Sequence, residues 1–258
     1  MSVLRAKCPD CNTYTAVALG AEYECHACGR VFQAGLVRVP RAWGKGGEAM
    51  AEAASLPLPY PEAVVVAEDS LGEQTLALAS ELPERPIVLG GCCCAHVGAV
   101  EGLTARYDRL ALVWFDAHGD LNTPDSSPSG NEWGMPLRML LDSGAVRIDD
   151  TALIGARNLD PPEREFIAGS GLGTGEEAVD RALANADGVY VAFDCDVLEP
   201  ADLRTFMPEP GGLALGDAEV VLRRVAQSST VIGAGLSGLA PDPGSVDPLT
   251  RLLFSLGL

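Results

Sequence analysis

The run Asp116-Ala117-His118-Gly119-Asp120 follows directly on the apolar stretch Ala111-Leu112-Val113-Trp114-Phe115, and Asp194-Cys195-Asp196 follows on Val189-Tyr190-Val191-Ala192-Phe193. Side chains of extended backbone alternate faces, so Asp116, His118 and Asp120 are expected on one side, and Asp194 and Asp196 likewise. Four carboxylates and an imidazole then converge. Carboxylates gathered in one crevice repel and raise one another's pKa, so one or two divalent cations are the natural occupants. The chemistry of such a centre is hydrolysis: a water bridging two ions loses a proton near neutral pH and attacks an sp² carbon, while the metals stabilise charge developing on oxygen. A single ion kept by His118, Asp116, Asp194 and Asp196 would also support hydrolysis. Ser237 and Cys195 stand in no nucleophile and base motif, so covalent catalysis is not expected.

These residues need strands to carry them. The apolar periodicity predicts strands at 63–67, 86–89, 110–115, 151–155, 188–193 and 230–234, with a first one near 35–40. Helices are predicted over 71–82, 95–105, 134–142, 175–185, 216–228 and 245–256. Apolar strands alternating with helices imply a parallel sheet covered on both faces, with ligands beyond the carboxyl ends of its strands. Both acidic motifs sit at such ends. Residues 38–47 and 56–62, rich in Gly, Pro and small or basic residues, read as linkers or rim loops.

Ahead of this pattern, Cys8-Pro9-Asp10-Cys11 and Cys25-His26-Ala27-Cys28 form two CxxC knuckles around a short polar span. Thiolates at that spacing suit tetrahedral zinc, and so small a segment has too few apolar residues to fold without a metal. A structural zinc ribbon over residues 1–35 is therefore expected, with Cys8, Cys11, Cys25 and Cys28 as ligands and His26 as a bystander. A redox dithiol pair is the alternative. The main domain is expected over 36–258. The eight cysteines form no secreted disulfide framework. A formal net charge of -18 argues against nucleic acid or an anionic membrane as partner. No apolar stretch approaches the roughly 20 residues that span a bilayer, and the N-terminus lacks a signal-peptide series, so a cytoplasmic location is expected.

The two acidic motifs resemble those of the arginase and agmatinase family of ureohydrolases over roughly residues 36–258. Asp116-Ala117-His118-Gly119-Asp120 is similar to the family's DAHxD motif, and Phe193-Asp194-Cys195-Asp196-Val197-Leu198-Glu199-Pro200 to its FDxDxxDP motif. The resemblance implies a three-layer α/β/α sandwich with a mostly parallel sheet, assembled as a trimer or hexamer, and a centre of two manganese ions. Asp116 and Asp194 would bridge the ions, Asp120 would belong to one, and His118 and Asp196 to the other. It also implies a small amino-acid-like substrate. Asn122, Ser127, Ser129 and Asn131 occupy the positions that hold its α-carboxylate and α-amino group, and Asp160 and Glu163 would face the ammonium end. Donors for one end and acceptors for the other are what a zwitterion needs.

Three departures set the chain apart. The family's GGDHS segment reads Gly90-Gly91-Cys92-Cys93-Cys94, so one ion meets the thiol of Cys93 where an imidazole is usual. A soft ligand favours zinc or ferrous iron over manganese; alternatively Cys93 is an inert buried thiol that leaves this position weak or empty. His96, three residues on, is expected to serve packing or lie at the surface. Trp133 stands in Gly130-Asn131-Glu132-Trp133-Gly134 where arginases place a proton-shuttling histidine. Indole exchanges no proton near neutrality, so Asp120, Glu132 or a water must protonate the leaving group, while Trp133 forms an apolar wall or stacks on a planar group. Lastly, the position of the family's guanidinium-binding glutamate falls on or near Gly238, which removes charge-assisted hydrogen bonds worth about 1.5–3 kcal/mol.

The sequence therefore implies a metallohydrolase of a non-peptide C–N bond in a guanidino, hydroxyguanidino, amidino or amide group of a small amino-acid derivative. Its active site would hold one or two ions of manganese, zinc or iron. The alternative is a catalytically silent member of this fold whose zinc ribbon docks a protein partner.

Overall fold

In the computed structural model, which describes residues 5–6, 8, 10–11, 13, 15–19 and 22–258, three short strands come first: β1 Arg5–Ala6, β2 Ala16–Leu19 and β3 Glu22–Cys25. They lead into β4 Val31–Val39. Then follow α1 Glu48–Ala53, β5 Glu62–Val65, α2 Leu71–Glu81, β6 Arg85–Gly90, α3 Ala95–Thr104 and β7 Leu110–Phe115. The second half holds α4 Pro136–Asp142, β8 Thr151–Ile154, α5 Pro161–Ser170, β9 Gly173–Thr174, α6 Glu177–Leu183, β10 Gly188–Asp194, α7 Leu215–Ser228, β11 Val231–Ser237 and α8 Val246–Ser255.

The strands order as β1-β2-β3-β4-β6-β11-β10-β7-β8-β9, with β5 on the outer edge of β4. From β4 onward every pairing is parallel; β1 to β4 pair antiparallel. Alternate residues of the central strands enter two separate cores. Ala111, Val113, Phe115, Val189, Val191 and Phe193 pack with residues of α6, α7 and α8 on one face. Leu110, Leu112, Trp114, Tyr190 and Ala192 pack with residues of α2, α3 and α4 on the other. That division makes the three layers of an α/β/α sandwich, and burial on both faces explains why the central strands lack polar interruptions.

Register fixes where the chemistry lies. Phe193 pairs with Phe115, Asp194 with Ser237, and Leu236 with Leu89, so β6, β11, β10 and β7 end side by side. The Cys92–Cys94 segment, Ser237, Asp194 and Asp116 consequently meet at one edge. At the opposite edge β4 begins before β6, Ala34 being opposite Arg85, and its overhang pairs with β3. Arg30 bonds Glu84 at 2.7 Å and lies 3.6 Å from Asp10, tying the cysteine knuckles to the base of β6. β4 thus runs through the boundary expected between residues 35 and 36.

Several elements lie outside the sequence expectation. α1 falls in a stretch read between two linkers, and α4 starts at Pro136 behind a 3-10 turn at Glu132–Gly134 rather than at 134. α5 was hidden in a segment read for its ligand-like side chains. Its start carries Asp160 as N-cap, two prolines and a reciprocal bond pattern with Glu163, the capping box that starts a helix. No helix among the described residues is long and apolar enough to cross a membrane.

Candidate metal centre

Asp194 is the last residue of β10 and Asp116 directly follows β7, but neither acidic run continues as extended chain. Residues Cys195–Val197 form a 3-10 turn that Asp194 caps, its Oδ1 accepting from Asp196 N at 3.0 Å. Asp116 Oδ1 accepts from His118 N at 2.7 Å in the same manner. Turns closed by these carboxylates, rather than strand alternation, bring the ligand-type groups together. The two turns interlock where Ala117 N donates to Asp196 Oδ1 at 3.0 Å. Arg157 clamps the outside, donating to the backbone carbonyls of Asp196 and Glu209 at 2.9 and 2.6 Å.

Two ligand-type groupings result, and Asp116 belongs to both. Cys93, Asp116 and Asp120 bring one donor atom each within 4.8 Å of one another, as do Asp116, His118 and Asp196. Cys93 Sγ lies 2.8 Å from Asp194 Oδ2 and 3.8 Å from Asp116 Oδ2. His118 Nδ1 is 3.0 Å from Asp196 Oδ2 and 3.4 Å from Asp116 Oδ1, while its Nε2 faces Glu209 Oε1 at 3.6 Å.

The electrostatics mark a place built for positive charge. Burial, then the neighbouring Asp116, pushes the Asp120 carboxyl well above the usual carboxylate range; burial, then Asp196, does the same to Asp194. Burial opposes charge on His118, yet its bonds to Asp116 and Asp196 outweigh that and drive it up to about 12. Without a cation, retained protons neutralise the cluster. Asp120 Oδ2 is buried with no hydrogen-bond partner, and Asp120 is the one non-glycine among the described residues with a positive φ, 52°. A strained backbone aiming an orphaned carboxylate oxygen into a group of acids fits a divalent cation as the missing partner.

A cavity of about 170 Å³ opens over this cluster. Asn122, Ser127, Ser129, Trp133, Asp160 and Glu163 line it, together with Asn158, Met50 and Met207, which sequence reasoning missed. Several of these are already engaged. Asn122 Nδ2 donates to Asp160 Oδ2 at 2.9 Å and its Oδ1 accepts from Ser126 Oγ at 3.0 Å. Glu163 accepts from Leu121 N and Asp160 N at 3.0 and 2.8 Å, so both its oxygens support the loop. Ser127 and Ser129, whose hydroxyls lie 3.4 Å apart, remain within reach of a substrate.

Two expected positions need correction. Glu132 lines a separate concavity with Trp43, Gly44, Pro124 and Met135. Neighbouring side chains of a 3-10 turn diverge by about 120°, so Trp133 faces the cluster and Glu132 does not. Asn131 turns outward, its Oδ1 accepting from Lys45 N at 3.0 Å. Trp133 itself packs edge-on to Phe206, ring centroids 6.1 Å apart, beside Met50, Cys92 and Trp43. The indole rides directly over Gly44, where a Cβ would overlap the ring.

The four N-terminal cysteines also converge. Cys8 and Cys28 sulfurs lie 3.6 Å apart and Cys11 and Cys25 sulfurs 3.5 Å apart. Zinc with bonds of about 2.3 Å needs sulfurs about 3.8 Å apart in a tetrahedron, close to this spacing. The Thr15 hydroxyl draws the Cys25 thiol down to about 5, towards the ligating thiolate form.

Comparison with known proteins gives the same direction. The model of the arginase family matches residues 43–254. Arginase of Staphylococcus aureus (strain MRSA252) is 34% identical over 182 residues, covering 60% of this chain and 60% of the relative. Arginase of Bacillus subtilis (strain 168) is 32% identical over 176 residues, covering 58% and 59%. The chain therefore spans about three fifths of the length of these curated relatives. Among solved structures, native arginase from Bacillus caldovelox at pH 5.6 superposes with a TM-score of 0.74 at 25% identity, covering 88% of this chain and 98% of that one.

Proposed function

As the chain belongs to the arginase family, we propose that it is a metal-dependent hydrolase of a non-peptide C–N bond in a small amino-acid derivative. The observation that carries this reading is the convergence of Cys93, Asp116, His118, Asp120, Asp194 and Asp196 beneath one cavity. Cys93, Asp116, Asp120 and Asp194 would hold one divalent ion, and Asp116, His118 and Asp196 a second. Such ions supply Lewis acidity and make water a nucleophile near neutral pH.

The chain's own residues do the rest. Ser127 and Ser129 hydroxyls, which line the cavity, would donate to a substrate carboxylate, and Asp160 would accept from an ammonium group, which would orient the scissile carbon over the acidic floor. Met50, Trp133 and Met207 add apolar surface to the cavity lining, which would help to exclude water. Asp120, with one oxygen on the ion, would use the other to pass a proton from water to the departing nitrogen. Gly238 offers no carboxylate, so a hydroxyguanidino, amidino or amide group suits the cavity better than a plain guanidinium cation.

Full-length protein loaded with manganese, zinc or ferrous iron should release an amine, ammonia or urea from at least one member of a panel of guanidino, hydroxyguanidino, amidino and amide amino acids. Metal bound in the cluster with no turnover across that panel overturns the reading.

The N-terminal knuckles would hold one structural zinc. Because they lie at the amino ends of the parallel strands and the cluster at the carboxyl ends, Cys25→Ser is expected to lower bound zinc by one ion per chain while catalysis stays within about threefold of wild type. Metal analysis and turnover on the same preparation check both numbers; a loss of activity in step with the zinc would assign the knuckles a part in the active site.

A further inference from the structure

Behind Cys93 a line of buried polar side chains runs into the core, and the hydrolytic reading leaves it unused. His96, on the first turn of α3, is fully buried. Its Nδ1 lies 3.1 Å from Tyr190 Oη and its Nε2 3.1 Å from Ser237 Oγ. Ser237 Oγ in turn lies 3.1 Å from Cys93 Sγ and 3.4 Å from Asp194 Oδ2. The ring packs edge-on against Trp114, centroids 5.3 Å apart, so it cannot turn freely.

The direction of the chain follows from its members' valences. Burial holds His96 down at about 3, which leaves a neutral imidazole with one donor and one acceptor. If Nδ1 were the donor, the buried Tyr190 hydroxyl proton would face a donor and Ser237 would spend its own proton on His96. Its lone pairs would then confront Asp194 and Cys93. In the other sense Tyr190 O–H donates to Nδ1 and Nε2–H donates to Ser237 Oγ, which leaves the single Ser237 proton for Cys93 Sγ at 3.1 Å, the nearer acceptor, in preference to Asp194 Oδ2 at 3.4 Å. Every donor then meets an acceptor, and the chain ends on the acidic cluster.

We propose that Tyr190, His96 and Ser237 form a directed hydrogen-bond relay that positions Cys93 Sγ as a metal ligand. The proposal rests on the reading of Cys93 as a ligand given above. The thiol now donates to Asp194 Oδ2, so the bond from Ser237 reaches a sulfur lone pair and stays available when a cation takes the place of the thiol proton. Ligands fixed by outer partners bind metal more tightly than ligands left free to rotate. His96 and Ser237 are accordingly positioning residues.

Cobalt(II) titrated into metal-stripped full-length protein tests the relay, because thiolate-to-cobalt charge-transfer absorption reports sulfur ligation directly. The knuckle cysteines give bands of the same kind, so Cys93→Ser serves as the blank and the difference spectrum isolates Cys93. Wild type is expected to show a difference band. Ser237→Ala and His96→Leu should weaken the Cys93-dependent cobalt affinity about ten- to a hundredfold. His96→Gln, whose amide can both donate and accept, should recover much of it, and Tyr190→Phe should cost several-fold. Ser237→Ala and Tyr190→Phe each delete only a hydroxyl, so they decide the matter even where His96→Leu fails to fold. Affinities within twofold of wild type in both, with the difference band intact, overturn the relay and leave Cys93 a ligand. A wild-type spectrum identical to that of Cys93→Ser removes the ligand reading and the relay with it.

Discussion

Asp116→Ala is expected to lower turnover at least about a thousandfold, equivalent to about 4 kcal/mol of transition-state stabilisation, and to reduce bound metal to what the N-terminal knuckles hold. Asp116 is the residue common to both ligand-type groupings, so one truncation opens both. Its two oxygens are separately held by N–H donors, Oδ1 by His118 N at 2.7 Å and Oδ2 by Trp114 Nε1 at 3.2 Å. An amide presents one acceptor and one donor pair, so Asp116→Asn satisfies only one of these bonds and should fail nearly as badly as alanine. The fold itself should survive, because in metal-stripped protein retained protons already neutralise the cluster and the loss is confined to two orphaned N–H donors, about 1–3 kcal/mol each. The melting temperature of metal-stripped protein should therefore fall by several degrees, whereas the stabilisation that added metal brings to wild type should be largely absent. Paired metal analysis, thermal melts with and without metal, and single-substrate kinetics check the three outcomes. An Asp116→Ala protein that keeps a tenth of wild-type turnover would remove this cluster from the chemistry.

The acidic cluster was legible because its residues sit immediately after uninterrupted apolar runs, and the end of a buried parallel strand is where such sheets place ligands. The order of strands β6, β11, β10 and β7 was not legible: no local pattern says that Ser237 pairs with Asp194, or that Cys93 ends next to both. The geometry within each motif was also misread. Alternation in an extended chain would align Asp194 with Asp196, but the chain turns at Cys195–Val197 and the alignment comes from the turn. Asp160 and Glu163 illustrate a signal that was present and given another meaning, since Asp-Pro-Pro-Glu is a helix start before it is a pair of substrate acceptors. His96 and Glu209 depend on contacts between distant segments. His96 looks like one more residue of an apolar helix until Tyr190 and Ser237 arrive from two other strands, and Glu209 follows a proline in a loop until His118 and Asn158 come within reach.

Gly238→Ala is expected to cost at least about a hundredfold in turnover, about 2.7 kcal/mol, and to weaken metal binding, although the substitution adds a single methyl group. Gly238 follows β11 with φ at 72°, a left-handed conformation in which an L side chain is strained by about 1 kcal/mol. The larger effect is steric, because a Cβ at this position would overlap the carboxylate of Asp194. Neither side can yield cheaply. The backbone is pinned where Phe206 N donates to Gly238 O at 2.8 Å and Gly238 N to Gly91 O at 3.3 Å. Asp194 is held by Asp196 N and Cys93 Sγ and is buried. A shift of Asp194 would carry the 3-10 turn and Asp196 with it, so both ligand-type groupings should loosen together. The same overlap closes the position to any longer side chain, and Gly238→Glu should lose activity as alanine does rather than gain turnover of a guanidinium substrate. Metal affinity by calorimetry and kcat/KM on the best substrate of the panel measure the two losses. Wild-type metal affinity in Gly238→Ala would mean that Asp194 stands free to move, and a Gly238→Glu protein that hydrolyses arginine would mean that the space above Asp194 is open to a second carboxylate.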